Sequence, residues 1–183
     1  MLRDPVDRLY SQYSQAAGAG ATRHGFLPWV EQQLAEEAAW RPRQGAVWHG
    51  FYARRLRHYL AIFPAQQLRS YLYEDYLAAP RAVLRDVFTF LEVDPDVPID
   101  SSRRHNVTRQ PRLPWLRPAT APLGTVLRRH LPRSVGDALR RAIHRRPPRL
   151  EPVERAAVLP IYASDIRELP DLLKRDLSAW MRA

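Results

Sequence analysis

The sequence has no cysteine and a single lysine among its 183 residues, and it has no long apolar run. The lack of cysteine excludes disulfides, thiolate zinc sites and a cysteine nucleophile. The six histidines show neither an H-E-x-x-H motif nor a paired helical spacing, so we predict no metal site. No apolar run approaches the roughly 18 residues of a membrane span, and no signal-peptide pattern opens the chain. We therefore expect a cytoplasmic protein without a transmembrane segment.

The charge is strongly one-sided, with 29 basic residues against 19 acidic ones and a formal net charge of +10. Such a charge favours an anionic ligand or partner, because the summed field attracts phosphates, sulfated sugars, nucleic acid and anionic lipid alike. Arginine suits forked recognition of anions. The accompanying wealth of alanine, proline and leucine also fits a compositional bias of the genome, and both explanations stay open. A chain of this length, with 45% hydrophobic residues, is long enough for one domain with a core.

The first residues predict a helix with a polar, partly cationic entrance. Asp4 is a good N-cap, Pro5 suits the first helical position, and Asp7 places a carboxylate in the first turn. The predicted apolar face consists of Val6, Leu9, Tyr10 and Tyr13. The Arg3 guanidinium before the helix and the Ser11 hydroxyl two turns along would suit a phosphate, through forked donors and the helix dipole. An ordinary capped helix start is the alternative interpretation of the same pattern.

Residues 2–13 also resemble the 3′-phosphate-binding motif of sulfotransferases that use 3′-phosphoadenosine 5′-phosphosulfate. Further segments resemble that family in the same order, namely residues 50–64, 68–75, 80–95 and 162–180. The resemblance implies that Arg3 and Ser11 bind the 3′-phosphate of this co-substrate. It also implies an α/β, P-loop-like sulfotransferase fold, mostly helical around a small parallel sheet. The implied activity is transfer of a sulfuryl group from that nucleotide to a hydroxyl or amine acceptor.

The sequence departs from the family at the other half of the nucleotide site. The family holds the 5′-phosphosulfate with a strand, a loop containing glycine and lysine, and a helix, which precede the Arg-Asp-Pro segment. The chain has no G-x-x-x-x-G-K-[ST] motif, and its sole lysine, Lys174, lies in the tail. The family's usual catalytic base also lies upstream. We therefore expect an N-terminally truncated sulfotransferase domain that lacks the first strand–loop–helix unit, with its catalytic residues unassigned.

The rest of the chain is predicted to be largely helical. The pattern predicts helices over residues 27–37, 48–63 and 80–91, a small-residue linker over 16–21, a short strand over 68–73, and a C-terminal helical part over 123–183 that includes two short helices within 123–144. Residues 94–118 are basic, proline-rich and predicted to be irregular. By resemblance, this segment would contact the phosphate or the acceptor through Arg103, Arg104, Asn106, Thr108 and Arg109. A solvated basic loop is the alternative.

Three functional alternatives remain at this point. The most basic region contains Arg128, Arg129, Arg140, Arg141, Arg145 and Arg146, and it favours a non-catalytic polyanion-binding domain. Because no aromatic residues interleave with these arginines, the region lacks a base-stacking platform, and we expect no specific nucleic acid partner. The chain could also be an inactive sulfotransferase fragment, or its start codon could be wrongly assigned. His24 and His49 are candidate proton acceptors, but packing or surface roles explain them as well. The acceptor, with carbohydrate among the candidates, and the oligomeric state stay open.

Overall fold

The computed structural model describes residues 1–39, 45–99, 110–111, 144–145 and 147–182. In the described part the helices are α1 (Pro5–Ala19), α2 (Phe26–Ala39), α3 (Tyr52–Ile62), α4 (Tyr73–Ala78), α5 (Pro80–Phe90) and α6 (Pro152–Leu173). Short 3₁₀ turns lie at Trp48–Gly50, Ala65–Gln67 and Ser178–Met181. The two-residue strands are β1 (Gln110–Pro111) and β2 (His144–Arg145).

Helix α1 begins at residue 5, as its capping signals predict. The Asp4 carboxylate accepts hydrogen bonds from the backbone N–H groups of Val6, at 2.9 Å, and Asp7, at 3.1 Å. The helix ends at Gly20, which adopts a left-handed conformation with φ 74° and donates its N–H to the last turn. The predicted linker over residues 16–21 is therefore wrong for its first four residues. Alanine favours the helix, which continues until a glycine supplies the positive φ.

The core is formed where α1, α2 and α3 pack against α6. Val6 and Leu9 on α1 are completely buried, which confirms the predicted apolar face, and they share the core with Tyr162 and Leu169 of α6. On the flank of α1, the ring of Tyr10 meets that of Phe26 edge to face, with centroids 5.0 Å apart. Helix α1 is thus packed on its apolar side, which leaves its polar side available for a site.

Helix α6 completes the start of α3 with a buried carboxylate. Phe51 at the N-cap position of α3 offers no side-chain cap. Asp165 of α6, only 6% exposed, instead accepts hydrogen bonds from the N–H groups of Ala53, at 2.9 Å, and Arg54, at 3.1 Å. One turn earlier on α6, Tyr162 donates its hydroxyl to a backbone carbonyl of the preceding turn, that of Val47, at 3.0 Å. The Asp165 bonds satisfy two N–H groups that the local sequence leaves unpaired, and the Tyr162 bond is a second one to a carbonyl that also accepts the N–H of Gly50.

The predicted strand over residues 68–73 is reduced to one bridging residue. Leu2 and Leu72 form a parallel bridge, in which Leu2 N–H donates to Tyr71 O and Tyr73 N–H donates to Leu2 O, both at 2.7 Å. Helix α4 begins directly at Tyr73, and α1 begins shortly after Leu2, so the two extended segments have room for a single bridge. Strands β1 and β2 pair antiparallel, with Gln110 opposite Arg145. The described residues therefore carry only a trace of the predicted parallel sheet.

The remaining predictions are partly tested by the described ranges. Helices α2, α3 and α5 lie where the sequence predicts them, within a few residues at each end. Residues 94–99 are irregular, as predicted. The predicted helices within 123–144 lie outside the described residues except at His144, which is in a strand and so corrects their predicted end. None of the helices in the described ranges is both long and apolar enough to cross a membrane.

Replacing Asp165 with alanine should destabilise the fold strongly. The substitution removes the acceptor for two N–H groups at the start of α3, one of them on the fully buried Ala53. We expect a loss of about 2–4 kcal/mol in the free energy of unfolding, measured by urea denaturation. Asp171→Ala is the matched control, because Asp171 lies on the same helix but is exposed. Losses of equal size in the two variants would contradict the assigned role.

Candidate functional site

An open pocket of about 280 Å³ lies between the polar side of α1 and residues 147–150. Its lining residues are Arg3, Asp7, Tyr10, Ser11 and Ser14 on one wall and Pro147, Pro148, Arg149 and Leu150 on the other. The two residues assigned to phosphate binding from the sequence, Arg3 and Ser11, thus face one cavity. The wall formed by residues 147–150 was not foreseen, because these residues are far away in the sequence and carry no motif.

Among the described residues, the Arg3 guanidinium makes only loose contacts. Its Nη2 lies 4.0 Å from Oδ2 of Asp7, at the outer limit of an ion pair, and the side chain is 36% exposed. Its Cζ lies 5.3 Å from the ring centroid of Tyr73, in a cation–π contact. A guanidinium has five N–H donors. Most of those donors therefore have no partner in the described part of the chain and face the pocket's ligand space.

The Tyr10 hydroxyl ties the two walls of the pocket together. It donates to the carbonyl oxygens of Pro148, at 3.0 Å, and Arg149, at 3.3 Å. Burial raises the pKa of Tyr10, and the carboxylate of Glu154 raises it further. The hydroxyl thus remains a proton donor at any physiological pH. The contact fixes the backbone of residues 147–150 against α1 and places the exposed Arg149 at the pocket rim.

Ser14 contributes a buried hydroxyl that has no protein partner among the described residues. Its side chain is 2% exposed, and its Oγ makes no hydrogen bond. Buried polar atoms are rarely left unpaired unless they serve a purpose or meet water. Ser14 lies three residues after Ser11 and so on the same face of α1. That spacing could have identified Ser14 from the sequence, and the sequence analysis missed it.

A cluster of two carboxylates and one guanidinium lies beside the pocket. Arg155 of α6 donates to Oδ2 of Asp4 and, at 3.2 Å, to Oδ1 of Asp7. It also donates to the carbonyl oxygen of Trp180, at 3.1 Å. Burial and the nearby Asp4 raise the pKa of Asp7, while Arg3 and Arg155 oppose that rise. No sequence signal links Arg155 to the site, since α1 and α6 come together only through the fold.

The other candidate residues are placed as follows. Arg103, Arg104, Asn106, Thr108 and Arg109 lie outside the described residues, as do Arg128, Arg129, Arg140, Arg141 and Arg146. Strand β1, which follows the first of these groups, lies beside α1. His24 accepts the Tyr13 hydroxyl at its backbone carbonyl, and the pKa of His49 is lowered by burial and by Arg55. Neither histidine lines the pocket.

A larger cavity, of about 610 Å³, lies between α5 and the segment that follows it. Its wall includes Leu84 and Phe88 of α5 and residues 95–99. It contains none of the residues whose spacing indicated an anion site. We therefore take the smaller pocket on α1 as the candidate site.

Replacing Tyr10 with phenylalanine should loosen the far wall of the pocket. The variant loses the hydroxyl that holds the carbonyls of Pro148 and Arg149, so we expect faster amide hydrogen exchange in peptides covering residues 147–151. Tyr13→Phe is the matched control, because its hydroxyl holds the carbonyl of His24 instead. Its effect should fall on residues 21–25. Unchanged exchange at 147–151 in Tyr10→Phe would show that the hydroxyl does not hold this wall.

Comparisons with known proteins confirm the resemblance to sulfotransferases. Residues 1–112 match the family model of the sulfotransferase domain. Among solved structures, the chain is similar to a sulfotransferase from Alicyclobacillus acidocaldarius, with 26% sequence identity and a TM-score of 0.63 over 100% of this chain and 56% of that one. No curated protein matches the sequence. The chain thus spans little more than half the length of that sulfotransferase. Because the family model matches more than half of the residues of this chain, the chain belongs to the sulfotransferase domain family.

Proposed function

We propose that the chain acts in sulfuryl transfer from 3′-phosphoadenosine 5′-phosphosulfate to a hydroxyl or amine acceptor. In this proposal Arg3 and Ser11 bind the 3′-phosphate of the co-substrate. The observation that carries it is that both side chains line one pocket on α1, in a chain of the sulfotransferase domain family. Arg149 on the opposite wall adds a second guanidinium to the same cavity.

The residues around the pocket suit a phosphate monoester. Arg3 offers N–H donors that the described residues leave unpaired, and Ser11 offers a hydroxyl. The Ser14 hydroxyl, which has no partner within the described ranges, lies in the same wall. The first N–H groups of α1 are not available, because Asp4 accepts both of them. The anion would therefore be bound by side chains, with the helix dipole as a secondary contribution. Charge-assisted hydrogen bonds of this kind are about twice as strong as neutral ones.

The proposed role of these residues is to bind and orient, and not to transfer the sulfuryl group. The 3′-phosphate is remote from the reacting centre. Binding it there contributes binding energy that fixes the position of the phosphosulfate. The co-substrate itself supplies the activated sulfuryl group. The donors that would stabilise its 5′ end are not among the residues lining this pocket. The family resemblance implies a P-loop-like strand–loop–helix unit for that end, and none of the residues lining this pocket belongs to such a unit.

Calorimetric titration with adenosine 3′,5′-bisphosphate, using adenosine 5′-monophosphate as the comparison ligand, tests the assignment. We expect clear preference for the bisphosphate, a loss of about 1.5–3 kcal/mol of binding in Arg3→Ala and about 0.5–1.5 kcal/mol in Ser11→Ala. Arg57→Ala is the control, since it removes an exposed arginine that pairs with Glu168. Equal affinity for the two nucleotides would overturn the assignment. Equal affinity combined with steeply salt-dependent binding of heparin or DNA would favour the polyanion-binding domain.

Replacing Ser14 with alanine separates a ligand contact from a structural role. The Ser14 hydroxyl has no partner in the part of the protein that the structure describes, so its removal should leave the free energy of unfolding unchanged or slightly higher. The same variant should bind the bisphosphate about threefold or more weakly, because one hydrogen bond to the ligand is lost. A stability loss above about 1 kcal/mol would show that the hydroxyl has a structural partner instead.

A further inference from the structure

The anion pocket contains a carboxylate that ought to oppose its proposed ligand. Asp7 lines the cavity, its side chain is 45% exposed, and its Oδ2 lies 4.0 Å from the Arg3 guanidinium. A carboxylate in that position repels a phosphate and competes with it for Arg3. The pocket can serve an anion only if the charge of Asp7 is compensated from elsewhere.

Arg155 supplies that compensation from the far side of Asp7. Its Nη1 lies 3.2 Å from Oδ1 of Asp7, on the oxygen that does not face Arg3. The Arg155 side chain is 16% exposed and also pairs with Asp4. Arg155 also donates to the carbonyl oxygens of Trp180 and Arg182, and these bonds attach it to the C-terminal segment. A guanidinium fixed on so many sides cannot swing into the pocket to meet the ligand.

We propose that Arg155 is a positioning residue: it forms an ion pair with Asp7 and so leaves the Arg3 guanidinium free to bind the phosphate. Arg155 touches neither the pocket nor the ligand, and it acts only through the carboxylate it holds. This inference rests on the proposed function, because it assumes that the pocket binds a phosphate. If it is correct, the binding of the phosphate by Arg3 depends on a residue near the other end of the chain.

A purely structural role for Arg155 gives a different pattern of effects. Arg155 also holds Asp4, whose other oxygen caps α1, so its loss could disturb the helix that carries Arg3 and Ser11. Under that alternative, removing the charge of Asp7 would not restore binding. Under the proposal it would, because an uncharged residue 7 no longer competes for Arg3. A double-mutant cycle between residues 7 and 155 therefore distinguishes the two.

The experiment measures the dissociation constant of adenosine 3′,5′-bisphosphate, and the thermal midpoint, for the wild type, Arg155→Gln, Asp7→Asn and the double variant. We expect Arg155→Gln to weaken binding about tenfold and Asp7→Asn to tighten it about two- to threefold. In the Asp7→Asn background, Arg155→Gln should weaken binding by less than about threefold, although its thermal midpoint falls in both backgrounds. Arg57→Gln, which removes an equal charge from a surface pair with α6, should stay within about twofold of the wild type.

Equal weakening by Arg155→Gln in both backgrounds would overturn the proposal and leave the proposed function standing. Wild-type affinity in Arg155→Gln would do the same. If Arg155→Gln does not fold, Arg155→Lys takes its place in the same cycle, because it keeps a positive charge beside Asp4 but loses the forked guanidinium that reaches both carboxylates. Weakening by Arg155→Lys that is smaller in the Asp7→Asn background supports the proposal, and equal weakening in both backgrounds overturns it. A wild type that binds the bisphosphate no better than the 5′-monophosphate would overturn the proposed function, and this inference with it.

Discussion

The carboxylate of Asp4 joins the beginning of the described fold to its end. One oxygen caps α1, and the other accepts Arg155 from α6, which in turn holds the C-terminal segment by its carbonyls. Asp4 is only 5% exposed. A carboxylate so buried is costly unless it is paired and hydrogen-bonded, so the capped helix start and the docking of α6 depend on each other. The position of Arg3, directly before Asp4, follows from that single group.

The same arrangement decides how the pocket can recognise an anion. A free helix N-terminus offers backbone N–H groups to almost any anion. Here Asp4 accepts those groups, so under the proposed function the anion would be recognised by the side chains of Arg3 and Ser11. Ser11 lies on α1, and Arg3 directly precedes the Asp4 cap, so the capped helix start determines the spacing of the two side chains. Under the proposed function, the site would select its ligand through geometry and not merely through positive charge, of which this protein has an excess.

The sequence predicted those parts of the fold that are decided within a few residues. Asp4 and Pro5 determine the start of α1, and the helical spacing of Val6 and Leu9 identifies its buried face. The strand over residues 68–73 was wrong because a strand needs a neighbouring strand, and Leu72 pairs with Leu2 alone among the described residues. Arg155 was missed because its partners lie almost the whole chain away. The motif of the site was readable from the sequence, and its surroundings were not.

The two walls of the pocket belong to different parts of the sequence, so the family match covers only one of them. Arg3 and Ser11 lie within the residues that match the sulfotransferase domain, whereas Arg149 and the backbone held by Tyr10 lie beyond them. Under the proposed function, the matched wall would determine the class of ligand, as the family motif implies. The second wall would add contacts to that ligand, and Tyr10 holds this wall against the helix that carries the motif. A ligand that contacts both walls would add its binding free energy to their attachment and thereby stabilise the fold itself.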